Sequence, residues 1–271
     1  MALRVQTNVD AFRSYRHLNN TTNQTAKSME KLSSGYRINK AADDAAGLAI
    51  SEKLKAQIGG LGQAQRNVGD ATSLLGTGEG ALDQVHSMLQ RVRELAVKFN
   101  NGTLSTVDKA AITAEVAALS AEVGRIAGET KFNGIALLSG AATPITFQIG
   151  ADAGQTISVT VSALSGTGTD QINSSVFSFG TTADISGIDT AINNVSTRRS
   201  DFGAVQNRLE YSAANLAIYE ENLSDSLSRI KDVDMAQEMV KFSKLQILQQ
   251  SGTSMLAQAN QSGQGVLSLL R

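Results

Sequence analysis

Cysteine and tryptophan are absent from the 271-residue chain, and proline occurs once, at Pro144. Without thiols the chain can form no disulfide, no thiolate metal site and no thiol nucleophile. Aromatic residues make up only 4% of the sequence, which leaves little bulky material for a deep globular core. Because proline is the strongest helix breaker, its scarcity leaves most of the chain free to form long helices.

Charge is nearly balanced, with 24 basic and 25 acidic residues and a formal net charge of −1. This balance excludes a generally basic nucleic-acid-binding protein, so we expect no nucleic-acid partner. No stretch approaches the ~18 apolar residues of a membrane span, so we expect no membrane partner either. The first ten residues lack the apolar run of a secretory signal, which leaves residence in the cytoplasm or export without a cleaved signal.

Large apolar residues recur at every seventh position in two long stretches. Side chains seven residues apart stack on one face of a slightly underwound helix, so each row predicts a helix seam that is buried against another helix. Seven glycines between Gly59 and Gly80 each cost about 1 kcal/mol relative to alanine and favour interruptions. The unbroken ladder instead favours one helix that ends near Phe99. The seams are Leu54, Leu61, Val68, Leu75, Leu82, Leu89 and Ala96, and Ile188, Val195, Phe202, Leu209, Leu216, Leu223 and Ile230.

The middle of the chain carries a helix signal followed by a strand signal. Ser105 and Asp108 predict a capping box for a third helix, which ends near Gly128. Beyond residue 141 apolar and polar residues alternate on both sides of a turn at 150–154, which predicts a β-hairpin. Residues 162–187 predict either a loose third strand around Val176-Phe177 or a solvated loop. The helix stripe is Ile112, Val116, Leu119, Val123 and Ile126, and the hairpin residues are Ile145, Phe147, Ile149, Ile157, Val159 and Val161.

These patterns predict a mainly α fold, a long antiparallel helical bundle or coiled-coil rod with a small β-hairpin region. The two ends, residues 1–40 and 235–271, are helical in pattern but poor in apolar residues. Ordering the backbone costs about 1–2 kcal/mol per residue, and each buried large apolar side chain returns about 1.5–3 kcal/mol. We therefore predict that both ends are disordered in the isolated monomer and fold when neighbouring copies bury them. Their apolar residues include Val9, Phe12, Leu32, Met239, Phe242, Leu245, Leu248, Leu256, Leu267 and Leu270.

No residue pattern predicts catalysis, a cofactor or a metal site, so we expect that the chain is not an enzyme. Asp43 and Asp44 could be a pair of catalytic carboxylates, but neighbours on a helix diverge by about 100°, so helix capping is the better interpretation. His17 and His86 do not belong to an H-E-x-x-H helix. Residues 1–40 carry a local net charge of +5, which suits a helix in contact with water better than one bound to anionic lipid or to a chaperone.

Several blocks near both ends resemble bacterial flagellin. Residues 32–39 (LSSGYRIN) and 41–50 (AADDAAGLAI) are similar to its N-terminal signature. Residues 246–250 (QILQQ), 256–261 (LAQANQ) and the closing VLSLLR are similar to its C-terminal signature. The resemblance covers roughly 1–139 and 187–271 in the family's order and spacing. One departure is Ser262-Gly263, where many flagellins have a proline.

The resemblance implies the subunit of a hollow helical filament outside the cell, exported unfolded through the growing filament without a cleaved signal. It implies that residues 1–43 and 235–271 pair as an inner coiled coil, and that 44–139 and 187–234 form the surrounding helical rod. Residues 140–186 then replace the large outer domains of longer flagellins with the hairpin and a loop. The implied partners are further copies of the chain, filament cap and hook-junction proteins, and an export chaperone.

Residues 89–97 resemble the flagellin segment recognised by Toll-like receptor 5 of vertebrate hosts. Periodicity alone indicates that Leu89, Val92 and Ala96 face inward while Gln90, Arg91, Glu94 and Leu95 lie elsewhere, which also describes an ordinary solvated helix face. The resemblance implies a receptor contact with Arg91 and a semi-exposed Leu95 as anchors, and with Gln90 and Glu115 as further contacts.

A second hypothesis is a secreted binding module, such as a soluble coiled-coil adhesin or a tip protein of an export apparatus. Such a rod needs no complementary terminal helices, whereas a filament subunit does. The two hypotheses differ in one observable product, since only the filament subunit polymerises into long uniform fibres.

Overall fold

The computed structural model describes residues 8–139, 143–161, 163–164, 172, 174–180 and 182–269. Five helices dominate it, so the predicted mainly α fold is confirmed. They are α1 (Val9–Ser34), α2 (Ala45–Phe99), α3 (Thr106–Glu129), α4 (Ile185–Lys231) and α5 (Met235–Leu269). Four short strands form two hairpins, β1 (Lys131–Phe132) with β2 (Ile135–Ala136) and β3 (Thr143–Gln148) with β4 (Thr156–Val161). No helix among these residues is both long enough and apolar enough to traverse a bilayer.

The chain divides into two compact units. The first, which we call the terminal unit, comprises residues 1–56 and 222–271, and the second, the central unit, comprises residues 57–221. Both boundaries fall inside long helices, α2 and α4, whereas the sequence-based segments end at the breaks between helices.

The core of the central unit lies along α2. The seam residues Leu61, Val68, Leu75, Leu82, Leu89 and Ala96 are buried, as are Ile188, Val195, Phe202, Leu209 and Leu216 of α4. Leu54, Leu223 and Ile230, which lie in the terminal unit, are half-buried. α2 is one helix of 55 residues, about 80 Å long, and passes through every glycine from Gly59 to Gly80 without a break. Tertiary packing on both seams therefore outweighs the low helix propensity of these glycines.

Helix α2 has neighbours on two sides. Arg93 Nε lies 2.6 Å from Asp189 Oδ1 of α4, and Arg91 Nη2 lies 2.8 Å from Glu115 Oε1 of α3. A second set of α2 side chains outside the seven-residue ladder is also buried, namely Ala64, Ala71, Leu74, Val85, Val92 and Leu95.

The predicted β-hairpin is present as β3 and β4, which pair antiparallel with Ile145 opposite Val159 and Phe147 opposite Ile157. The hairpin is attached to α2 because Asn67 Nδ2 donates a 3.0 Å hydrogen bond to the carbonyl oxygen of Gln148. A Cβ atom at Gly60 would lie 2.9 Å from Cβ of Ala151, so only glycine admits this close approach.

The segment after the hairpin differs from both sequence-based alternatives. In its described part, Val176 lies in a short 3₁₀ turn (Ser174–Phe177) and is buried, so it belongs neither to a third strand nor to a solvated loop. Phe179 is also buried, and its ring centroid lies 5.3 Å from that of Phe99 of α2. This aromatic contact covers the end of α2, a role that the Ser- and Gly-rich composition did not indicate.

The caps predicted at Ser105 and Asp44 are present, whereas Asp43 does not cap a helix. The Ser105 side chain accepts from the Asp108 N–H and the Asp108 side chain accepts from the Ser105 N–H, which completes the capping box of α3. Asp44 Oδ1 accepts from the Gly47 N–H at 2.9 Å at the start of α2. Asp43 serves the preceding turn instead, where hydrogen bonds from the backbone N–H groups of Lys40 and Asn39 lower the pKa of its carboxyl.

The terminal unit is built on an antiparallel pair, α1 with α5. Asn8 Nδ2 donates to the Ala259 carbonyl oxygen at 2.7 Å at one end, and Ser28 Oγ donates to Glu238 Oε1 at 2.5 Å near the other. The less exposed residues recur at alternating intervals of three and four on both helices, which is the seam of a two-stranded coiled coil. The seam is formed by Ala11, Ser14, Leu18, Thr21, Thr25, Ser28 and Leu32 of α1 and by Glu238, Phe242, Leu245, Gln249, Gly252, Leu256 and Ala259 of α5.

Candidate interaction surfaces

Helix α5 carries an exposed apolar face on the side opposite its seam with α1. A shallow groove on this face is lined by Met239, Val240, Ser243, Lys244, Ile247 and Leu248. Val240 is 71% exposed and Ile247 is 65% exposed, although both are apolar. An apolar face of this length on a monomer marks a surface that another molecule covers.

Met239, Phe242, Leu245 and Leu248 recur at every third position but do not share one side of this helix. Leu245 is buried and Phe242 is half-buried in the seam, whereas Met239 and Leu248 line the exposed groove. Three residues turn about 300° around an α-helix, which is about 60° short of a full turn. A row of residues spaced three apart therefore winds around the helix and does not stay on one side. Leu256 lies half-buried in the seam, and the side chains of Leu267 and Leu270 lie outside the described residues.

Helix α1 presents a corresponding apolar face. Phe12 is 67% exposed, and Val9, Tyr15 and Met29 are also exposed, while Leu32 is half-buried in the seam. Each helix of the pair thus turns small, polar and a few apolar residues toward its partner and large apolar residues outward. The pair by itself leaves much of its apolar surface in water.

A second candidate surface lies on α2 and α3 within the central unit. Arg91 donates from Nη2 and Nε to Glu115 Oε1, at 2.8 and 3.0 Å, and from Nη1 to Glu94 Oε2 at 3.1 Å. The hydrogen bond to Glu115, followed by that to Glu94, raises the pKa of the Arg91 guanidinium. Gln90 is exposed, with its Nε2 atom 3.0 Å from Nε2 of His86. These groups form an exposed polar cluster that bridges two helices.

Leu95 does not belong to that exposed surface, contrary to the sequence-based expectation. It is only 3% exposed, while Leu89, Val92 and Ala96 are buried as expected. Residues four apart lie on the same side of a helix, and Arg91 reaches α3, so Leu95 lies on the side of α2 that α3 covers. The seven-residue ladder identified only one of the two neighbours of α2, and this is why Leu95 was misplaced.

Ser28 and Glu238 are functional candidates that sequence reasoning missed. The pair is buried between α1 and α5, and uncharged residues fill the other seam positions. The signal for it was present, because the alternating intervals of three and four already place Glu238 in the α5 seam. Among the described residues, no three His, Asp or Glu side chains converge in a group that could hold a metal ion.

Long helices with heptad seams, outward apolar faces and an exposed polar cluster define a structural protein that associates with other molecules through helical faces. Residues 5–143 match the family model of the bacterial flagellin N-terminal helical region, and residues 185–270 match that of the C-terminal helical region. The chain belongs to the bacterial flagellin family.

Relatives support this membership along nearly the whole chain. The flagellin of Halalkalibacterium halodurans is 47% identical over 97% of this chain and 98% of its own length. The flagellin of Bacillus subtilis is 44% identical over 99% of this chain and 100% of its own. A solved structure of a Vibrio parahaemolyticus protein, described as flagellar hook-associated, matches 70% of this chain and 100% of its own with a TM-score of 0.61 and 16% identity, which supports the fold alone.

The chain is therefore a structural subunit of a bacterial flagellar filament, a polymer of identical copies that lies outside the cell. It is a short flagellin, since relatives matched over 98–100% of their own length cover 97–99% of it, and it is not an enzyme.

Proposed function

We propose that the chain polymerises into a hollow helical filament that drives swimming, and that it is exported unfolded through the channel of that growing filament. The observation that carries the proposal is the pairing of α1 with α5. This pair buries a seam containing Ser14, Thr21 and Ser28 and leaves Phe12, Tyr15 and the α5 groove in water. Neighbouring copies of the same pair are the covering that such a surface requires.

In this arrangement residues 1–43 and 235–271 form the inner layer around the channel. Residues 44–139 and 187–234 form the helical rod outside it. Residues 140–186 contribute only the β3–β4 hairpin and the segment after it, so the filament is thin and smooth. The support for this division is the seam of each helix and the short central segment, which has no room for a further domain.

Before assembly, the exposed faces of α1 and α5 need cover in the bacterial cell. An export chaperone that binds the groove around Val240 and Ile247 provides this cover. It also prevents the C-terminal helix from polymerising prematurely. The same faces meet filament cap and hook-junction proteins at the ends of the polymer, because a terminal copy lacks one set of neighbours.

In an infected vertebrate, monomers released from the filament are recognised by Toll-like receptor 5 through the polar cluster on α2 and α3. Arg91 is the central contact, with Gln90 and Glu115 beside it. Arg91 is half-exposed and held by Glu115 in one orientation, so little side-chain entropy is lost when a partner binds. Leu95 contributes by packing α2 against α3, and not as a direct contact.

Polymerisation of purified monomer tests the central claim. Salting-out followed by electron microscopy should give long uniform fibres from the unmodified chain. Val240→Ser with Ile247→Ser should raise the critical concentration by about a hundredfold or more, since each of the two substitutions removes an apolar contact of about 1.5 kcal/mol or more. Ser243→Ala, between them in the same groove, is the matched control and should polymerise normally. Soluble rods from the unmodified chain would instead favour the binding module.

A further inference from the structure

The outer face of α4 in the central unit exposes two large apolar side chains. Tyr211 is 79% exposed and Ile218 is 61% exposed. They are seven residues apart, so they lie on the same face of the helix, and Ala214 lies exposed between them. Tyrosine is enriched among the residues that carry most of the binding energy at the centre of an interface.

The outer face of α2 in the same unit has the opposite character. Gly69, Ser73, Gly76 and Gly80 follow one another at intervals of four, three and four, and all four are exposed. No atom lies within 4 Å of a Cβ built at Gly69, Gly76 or Gly80, so no contact within the described chain requires glycine there. Exposed glycine weakens a helix relative to alanine, and three of them at seam spacing leave a groove in the helix surface.

The direction of the two helices allows these faces to meet between copies. Within one chain α2 and α4 run antiparallel, since Arg93 near the end of α2 contacts Asp189 near the start of α4, and Gly62 lies beside Glu220. Copies in a helical polymer share one direction along its axis. Helix α4 of one copy therefore also runs antiparallel to α2 of its neighbour.

We propose that the outer face of α4 of one copy packs into the outer face of α2 of another, with Tyr211 opposite Gly76 and Ile218 opposite Gly69. This proposal rests on the proposed polymerisation and adds a contact between central units to it. The contact joins two different surfaces, so it propagates in one direction and builds an open helical polymer instead of a closed dimer.

The register follows from the spacing on both helices. On α4 the exposed residues Asn207, Tyr211, Ala214, Ile218 and Glu221 are separated by four, three, four and three residues. On α2, read in the opposite direction, Gly80, Gly76, Ser73, Gly69 and Arg66 are separated by the same four intervals. In three of these five opposed pairs a larger residue meets glycine, namely Asn207 with Gly80, Tyr211 with Gly76 and Ile218 with Gly69. The middle pair joins two small residues, Ala214 and Ser73, and the last pair joins Glu221 and Arg66.

Charge supports the same register. Glu221 and Arg66 are both exposed and carry opposite charge. Arg208, on the flank of α4, falls opposite Glu79 of α2, whose side chain is 37% exposed and lies 3.8 Å from Arg199 of its own chain. A shift of one heptad along the helices still sets Ile218 against a glycine, Gly76 or Gly62, but it loses the Glu221–Arg66 pair. Complementary charges at the edge of an interface select register and partner.

The absence of cysteine allows a direct test by cross-linking. Ile218→Cys and Gly69→Cys are made in separate chains, with a size tag on one of them, and are copolymerised and oxidised. Any disulfide between the two variants then joins different copies. The off-register control replaces Gly69→Cys by Gly62→Cys, which lies on the same face one heptad, about 10 Å, away. We expect at least about tenfold more tagged–untagged product with Gly69→Cys than with Gly62→Cys, because a disulfide needs Cα atoms within about 7 Å.

An exchange of charges tests the same interface independently, because it does not require that the cysteine variants polymerise. Arg66→Glu and Glu221→Arg should each raise the critical concentration about tenfold through like-charge contact, and the double variant should return to within about twofold of the unmodified chain. Equal cross-linking in both mixtures, or no recovery in the double variant, would overturn this interface while leaving polymerisation intact. Failure of the unmodified chain to form fibres would overturn the proposed function and this interface with it.

Discussion

Ser28 Oγ and Glu238 Oε1 share a 2.5 Å hydrogen bond that joins α1 to α5, although the two residues are 210 positions apart in the chain. Burial by itself would raise the pKa of the Glu238 carboxyl. The hydrogen bonds from Ser28 and Lys241, with the positive charges of Lys241 and Lys31, outweigh burial, so the pKa lies below its ordinary value of 4.5. This hydrogen bond between the two terminal helices is therefore accepted by an ionised carboxylate near neutral pH.

We predict that this pair makes the terminal coiled coil sensitive to acid. Since the pKa is lower in the folded state, the stabilisation is fully present above about pH 4.5 and is lost as the pH falls through the lowered value. Ser28→Ala should destabilise the pairing by about 1–3 kcal/mol near neutral pH, because it leaves a buried carboxylate short of a donor. The measurement is the melting temperature of assembled filaments at pH 7 and pH 4.

The matched control is Ser33→Ala, an exposed serine on the same helix. Glu238→Gln should flatten the acid dependence, since its amide does not titrate. Identical melting of the Ser28→Ala and Ser33→Ala filaments at pH 7 would contradict the prediction.

Leu95→Ala tests whether this side chain is core or contact surface. Because Leu95 is buried under α3, its truncation should destabilise the central unit by about 2–5 kcal/mol, a loss typical of a cavity in a packed core. Val97→Ala, an exposed neighbour, should change the unfolding free energy by less than about 0.5 kcal/mol. Denaturant unfolding of the monomer measures both, and equal stability of the two variants would place Leu95 at the surface.

Arg91→Ala should separate receptor recognition from folding. The ion pair with Glu115 is half-exposed, so its loss should cost the fold no more than about 1 kcal/mol. A central interface arginine is worth about 2 kcal/mol or more, so activation of Toll-like receptor 5 by monomer should fall at least about tenfold in a reporter-cell assay. Arg93→Ala removes a comparably exposed ion pair to α4 and is the control. Unchanged signalling by Arg91→Ala would remove Arg91 from the contact.

Gly59 and Gly60 are adjacent in α2 and give a matched pair of variants that tests the contact between α2 and the β3–β4 hairpin. Gly60→Ala should destabilise the central unit by about 1–3 kcal/mol, since its Cβ would lie 2.9 Å from Cβ of Ala151 and the hairpin must move. Gly59→Ala meets no atom within 4 Å and should stabilise the unit by about 0.5–1 kcal/mol through helix propensity. Thermal unfolding of the two variants should therefore shift in opposite directions, and a shift in the same direction would contradict the hairpin placement.

Local signals in the sequence were sufficient for part of this structure. The seven-residue ladders predicted α2 and α4, the Ser105–Asp108 spacing predicted the cap of α3, and alternation predicted β3 and β4. Each of these depends on residues within one element or on one repeated interval.

Features that depend on contact with another element of the fold were not predictable from such local signals. Leu95 is buried because α3 covers a side of α2 that the ladder does not report. Phe179 is buried beside Phe99, and Val176 is buried in a 3₁₀ turn that contacts α3, although the composition around them is typical of a loop. Ser28 and Glu238 meet only once α1 and α5 are paired in register.

Hydrogen exchange tests the prediction that the terminal helices fold on assembly. The seam between α1 and α5 contains few large apolar residues, and Phe12, Val240 and Ile247 point into water, so the pair alone offsets little of its ordering entropy. In dilute monomer, amides of α1 and α5 should exchange at nearly the unprotected rate, while those of the buried stretch of α2 between Leu61 and Phe99 should be strongly protected. In filaments both terminal helices should become protected. Strong protection of residues 9–34 in monomer would show that the paired termini are stable without neighbours, and tails that exchange freely in filaments would show that assembly does not fold them.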